Sequence, residues 1–214
     1  MSLLAPEGYP YVVVPTLAGI FAWVFGYAPV AVLLWMIGLL SAAFFRDPTR
    51  SSDAAADAVL APADGKVIRI DGAPPRFAEM GLPVQVSIFM SPANVHVNRA
   101  PISGTVTRAD YCPGSKFPAY RDKASELNEH SVVVIAGDTA TVAYKQIAGA
   151  VARRVVCDLA EGEVVVRGQR VGIIKFGSRV DLFLPAGAAI AVRQGDRTRA
   201  GVTVVARLPV GGRR

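Results

Sequence analysis

"KFGSRVDLFLP", residues 175–185, decides the fold. Its apolar positions are Phe176, Val180, Leu182 and Leu184, and the period of two through the last three reads as a buried β-strand. Gly177 and Ser178 interrupt that pattern, and a Gly-Ser pair within a strand ordinarily marks a bulge or a close approach of backbone. Outward from this stretch, short runs rich in β-branched residues recur between turn residues: "GKVIRI", "VQVSIFM", "GTVTRADY", "SVVVIAG", "TATVAYKQIAG", "RVGIIKF" and "VTVVARL". No helical periodicity of comparable length competes with them. Residues 48–214 are therefore expected to form a mainly β domain, sandwich-like or barrel-like.

With 52% apolar and 19% charged residues, the 214-residue chain can bury a sizeable core. Its net charge of +6 favours an anionic partner, without choosing among nucleic acid, acidic lipid and phosphorylated small molecules. Cys112 and Cys157 show neither zinc-site nor disulfide spacing and are expected to be plain buried thiols. With only two histidines, imidazole chemistry must use His96 or His130, and no metal site is expected. The segment "EGEVVVRGQRVGIIKFGS" has the glycine-turn spacing of lipoyl- and biotinyl-type β domains. It has no lysine at a tight hairpin tip, so a carrier role is set aside.

From Tyr11 to Phe45 there is no charged residue. A signal peptide would open on a basic region and end after one short apolar block; this run is longer and follows "MSLLAPEGYP". The break at "GYAP", Gly26 to Pro29, leaves two halves, each short of the roughly 20 residues of a comfortable span. The reading adopted is a helical hairpin dipping into one leaflet, with a single tilted span over Val30 to Phe45 as the alternative. Trp23, Tyr27 and Trp35 suit headgroup depth, and Arg46 and Arg50 read as cytoplasmic flanks. Residues 1–47 are thus a membrane-associating segment and 48–214 the β domain.

Four patches hold candidate chemistry. "APADGKV" sets Asp64 in a turn, "MSPANVHVNRAPISG" contains His96, "YCPGSKFPAYRDKASELNEHS" is a long polar loop, and "KFGSRVD" holds the Gly-Ser pair. Taken singly, each has a structural explanation: a turn cap, a satisfied core histidine, a bulge. Together with "FFRDPTR", and in this order, they resemble the phosphatidylserine decarboxylases, closest to the short archaeal-type branch of that family.

The resemblance implies a proenzyme that cuts itself between Gly177 and Ser178. A β chain of residues 1–177 and an α chain of 178–214 would result, with Ser178 converted to a covalent pyruvoyl group and no metal or external cofactor. The group would form a Schiff base with phosphatidylserine, release CO2 and yield phosphatidylethanolamine. It further implies Ser178 as nucleophile, with His96 as base and Asp64 holding its tautomer. The longer bacterial form has a second histidine where this chain has Arg99, which leaves the base to His96, with His130 as the other candidate. Arg99, Lys116 and Arg179 are candidate clamps for phosphate or carboxylate. The implied partners are membrane phosphatidylserine and the enzyme's own two chains, with a homodimer left open and no nucleic acid. The implied location is the cytoplasmic side of the cell membrane. Two other readings stay open: a non-catalytic, membrane-anchored, lipoyl-like binding module, and a serine hydrolase, which lacks a G-x-S-x-G elbow.

Overall fold

The computed structural model describes residues 3–115, 127–149, 154–175 and 178–209. The chain divides into two compact units, residues 1–49 and 50–214.

The first unit is a helical hairpin of α1 (Tyr9–Val24) and α2 (Ala28–Phe44), preceded by a single 3-10 turn at Pro6–Gly8. Gly26, at φ +81°, makes the reversal that a side chain would strain. The helices meet through small residues. A Cβ on Gly19 would lie 2.5 Å from Trp35 Nε1, and that indole nitrogen donates to the Thr16 carbonyl at 3.3 Å. The outward faces display Leu17, Phe21, Val24, Leu39 and Leu40 to the surroundings. Among the described residues, no helix is long and apolar enough to cross a membrane.

The second unit is mainly β, in keeping with the alternating runs of the sequence. Its strands are β1 (Ala58–Leu60), β2 (Gly65–Gly72), β3 (Val84–Met90), β4 (Val97–Arg99), β5 (Gly104–Cys112), β6 (His130–Ala136) and β7 (Thr141–Ala148). They continue as β8 (Val155–Cys157), β9 (Val164–Val165), β10 (Arg170–Ile174), β11 (Ser178–Leu184), β12 (Ala189–Ile190), β13 (Arg197–Thr198) and β14 (Val204–Arg207). An antiparallel eight-stranded sheet has the order β13-β2-β3-β11-β7-β6-β5-β9, and two three-stranded sheets are ordered β4-β10-β8 and β1-β14-β12.

Strand β11 lies between β3 and β7, buried on both faces. Val180, Leu182 and Leu184 join Val86, Ile88, Val133, Ile135 and Tyr144 in the main core. The opposite face carries Phe183, stacked on Phe77 with centroids 3.6 Å apart, where the short helix α3 (Pro75–Ala78) covers the sheet. A one-residue slip would exchange these two faces, so the alternation itself pins the register. Cys112 and Cys157 are free and only partly buried, a departure from the expectation of buried thiols.

Candidate active site

Ser178 opens β11, and its Cα partners are Met90 at the end of β3 and Ala148 at the end of β7. Reading 175–185 as a single strand needs correction. Strand β10 ends at Ile174, β11 begins at Ser178, and the two belong to different sheets. Between those residues the chain changes sheets, so no continuous ladder can run through them. Gly177 and Lys116 lie outside the described residues. The Ser178 side chain is 0% exposed, and its hydroxyl donates to Met90 Sδ at 3.2 Å. A thioether is a weak acceptor, so it holds the hydroxyl without competing for its proton.

His96, also 0% exposed, follows a turn in which both the backbone N–H and the hydroxyl of Ser91 donate to Asn94 Oδ1, at 2.9 and 2.7 Å. Its carbonyl accepts from the Ile174 N–H at 3.3 Å. The chain leaves β3 at Met90, the partner of Ser178, and six residues on it reaches His96, whose carbonyl bonds Ile174 at the end of β10. The His96 Nδ1 lies 3.0 Å from the Asn94 carbonyl oxygen. Because a carbonyl only accepts, Nδ1 must carry the proton in the neutral ring, leaving Nε2 as the basic nitrogen.

Asp64 immediately precedes β2, two strands from β11 and thus about 10 Å across the sheet at 4.8 Å per strand. Gly65 follows it because a Cβ there would lie 2.2 Å from the Phe89 carbonyl oxygen. The Asn94 carbonyl faces His96 Nδ1, and the hydrogen bonds of Asp64 run to Arg50 and Ala200. Asp64 is gripped by Arg50, whose Nη1 donates to Oδ1 and whose Nη2 donates to Oδ2 at 2.8 Å. The Ala200 N–H donates to Oδ1 at 2.7 Å, and Arg50 Nη1 reaches back to the Ala200 carbonyl at 2.9 Å. The partner was missed because Arg50 follows a long apolar run and reads locally as a flanking charge.

The other candidates separate. Arg99 donates from Nη1 to the Gly168 carbonyl at 3.0 Å. Arg179 is 1% exposed on the face of β11 opposite the Val180 core; its Nε donates to Asp181 Oδ1 at 2.5 Å and its Nη2 to Ser87 Oγ at 2.9 Å. Its charge is already matched by a buried carboxylate. Lys145 stands across from Asp181 on β7, and burial lowers its ammonium to about 8. His130 is buried with Nδ1 2.7 Å from the Asn128 carbonyl, and desolvation lowers its pKa. Among the described residues, no group of three or more His, Cys, Asp or Glu could hold a metal ion.

A family model described as phosphatidylserine decarboxylase matches residues 37–206. The chain is similar to the phosphatidylserine decarboxylase proenzyme of Magnetococcus marinus, at 47% identity across 97% of this chain and 96% of that protein. Proteins of the same name from Burkholderia mallei and Paraburkholderia xenovorans are 39% and 38% identical, each alignment covering at least 96% of both chains. The chain belongs to the phosphatidylserine decarboxylase family.

Proposed function

We propose that this chain is a self-processing phosphatidylserine decarboxylase, with Ser178 as the residue that is converted and His96 as its base. The observation that carries the reading is a fully buried hydroxyl at the start of β11, in a domain whose other fully buried candidate, His96, is held in the tautomer that leaves Nε2 basic. As Ser178 Oγ adds to the Gly177 carbonyl, His96 takes the hydroxyl proton. The C–N bond then breaks, the nitrogen takes up a proton, and the peptide becomes an ester. Loss of the Ser178 Cα proton expels the carboxylate of residue 177 by β-elimination. The enamine left at 178 takes up water and releases ammonia, which leaves a pyruvoyl group.

The surroundings fit such a group, for it bears a methyl where serine had its hydroxymethyl. The Met90 thioether at that point is a soft contact for either. When present, the ketone supplies an electrophile for a primary amine and an electron sink as CO2 departs. The Asn94 carbonyl keeps His96 in its tautomer, and His96 then serves as a proton donor. Asp64 acts through Arg50 and Ala200, as an electrostatic and structural anchor. Arg99 is the proposed clamp for the acidic headgroup, whereas Arg179, already matched by Asp181, orders the first residues of the α chain. Residues 1–177 and 178–214 stay associated because β11 is hydrogen-bonded along both edges, to β3 and β7.

The apolar outer faces of α1 and α2 support insertion of the hairpin into one leaflet of the cell membrane, with the β unit on the cytoplasmic side. Mass spectrometry of protein purified from membranes tests the whole reading. Two polypeptides, 1–177 and a 178–214 chain with no free amino terminus, are expected, and a single inactive chain from Ser178→Ala. An intact 214-residue chain that decarboxylates phosphatidylserine would overturn it, and undiminished function in Ser178→Ala would favour the binding-module reading instead.

A further inference from the structure

The main core of the β unit contains a line of polar side chains that the chemistry above does not use. Ser131 donates to Gln146 Oε1 at 2.6 Å, and Gln146 Nε2 donates to Asn98 Oδ1 at 2.8 Å. Asn98 Nδ2 faces the Pro62 carbonyl at 3.4 Å and Met90 Sδ at 3.8 Å, the same sulfur that accepts from Ser178. Asn98, Gln146 and Met90 are fully buried, and Ser131 is nearly so. Gln146 occupies a position of β7 whose neighbours on that face, Val142, Tyr144 and Ala148, are core residues.

Carboxamides in such a place are costly unless every partner is present, and a valine or leucine would fill the volume without that requirement. Their placement shows what they join. Met90 and Gln146 stand on the two strands that flank β11, opposite Ser178 and Val180 respectively. Asn98 comes from β4, a strand of the three-stranded sheet β4-β10-β8, and lies two residues from His96. His96 immediately precedes β4, so the segment that holds it runs directly into the strand that carries Asn98. One carboxamide thus ties β4, the strand that His96 leads into, to the two strands that flank Ser178.

We infer that Asn98 and Gln146 are positioning residues for the self-cleavage, setting the separation of His96 from Ser178 through the amide pair that joins β4 to the eight-stranded sheet. Neither carboxamide titrates, so the pair can fix geometry without competing for the proton in transit. The inference rests on the roles proposed for Ser178 and His96.

The test follows the appearance of the 178–214 fragment during cell-free synthesis in the presence of phospholipid vesicles, over a range of pH. Gln146→Leu and Asn98→Ala should each lower the plateau rate by at least about tenfold, since a misplacement near 1 Å can cost on the order of a hundredfold. The midpoint of the pH profile should not move, because the base is unchanged. The exchange variant, Asn98→Gln with Gln146→Asn, keeps the summed length of the two arms and should recover a large part of the rate. Measurements are made well below each variant's melting temperature, where lost stability alone leaves the folded population and the rate unaltered. Single variants that cleave within about threefold of the parent would overturn the inference, as would an exchange variant no faster than the slower single. A parent chain that never cleaves would instead sink the reading beneath it.

Discussion

Replacing Arg50 by glutamine should destabilise the β unit more than any ordinary surface change. The guanidinium makes two hydrogen bonds to Asp64 and one to the Ala200 carbonyl, and the two side chains are only 10% and 11% exposed. Removing one partner of a buried ion pair costs about 3–5 kcal/mol, because the remaining charge has lost its counter-ion in a poorly hydrated place. Here Asp64 keeps the Ala200 N–H, and water has some access, so about 2–4 kcal/mol is expected. For a unit of this size that corresponds to a melting temperature lower by roughly 5–15 °C. The assay is thermal unfolding in detergent, in a Ser178→Ala background so that every sample is one uncut chain. Adding Asp64→Asn to Arg50→Gln removes the isolated charge and should return part of the loss, giving a coupling of about 0.5–3 kcal/mol. An Arg50→Gln protein that melts within about 2 °C of its parent, or a double variant whose loss is the simple sum of the singles, would refute the reasoning.

Two further outcomes follow from the opposite face of the sheet. Burial holds the folded Lys145 near pKa 8, below its ordinary 10.5, with Asp181 opposing that shift and Arg76 and Arg179 assisting it. Between those values the unfolded chain keeps the proton that the folded chain has lost, so stability rises with pH across that window and the contribution is smallest below about pH 8. Denaturant unfolding of Lys145→Met against the parent should show that rise disappear, and a constant difference from pH 7.5 to 10 would contradict it. Phe183→Ala removes a fully buried ring stacked on Phe77 at 3.6 Å and should cost about 3–5 kcal/mol in the same measurement, with a loss under about 1 kcal/mol counting against the packing described.

Much of the architecture is legible because it rests on local periodicity. The alternation of Val180, Leu182 and Leu184 needs only a two-residue repeat to give a strand with one face in the core. A polar residue on the core face of such a strand, as Gln146 is, was itself a readable sign of a buried network. The uncharged run from Tyr11 to Phe45, broken at Gly26, likewise announces two apolar helices and a turn. The sheet change between Ile174 and Ser178 was not legible, because residue type alone does not say which ladder a strand will join.

Local residue types therefore determined a β domain preceded by an apolar helical pair, and the order of their motifs carried the family resemblance that implies roles for Ser178, His96 and Asp64. Partnerships were decided only by tertiary structure: Arg50 with Asp64, Asn98 with Gln146, and the Asn94 carbonyl with His96. The reason is physical. A hydrogen bond selects its partner by ångström-scale direction, and for Asn98 and Gln146, 48 residues apart, that direction exists only once the sheets have closed over the core.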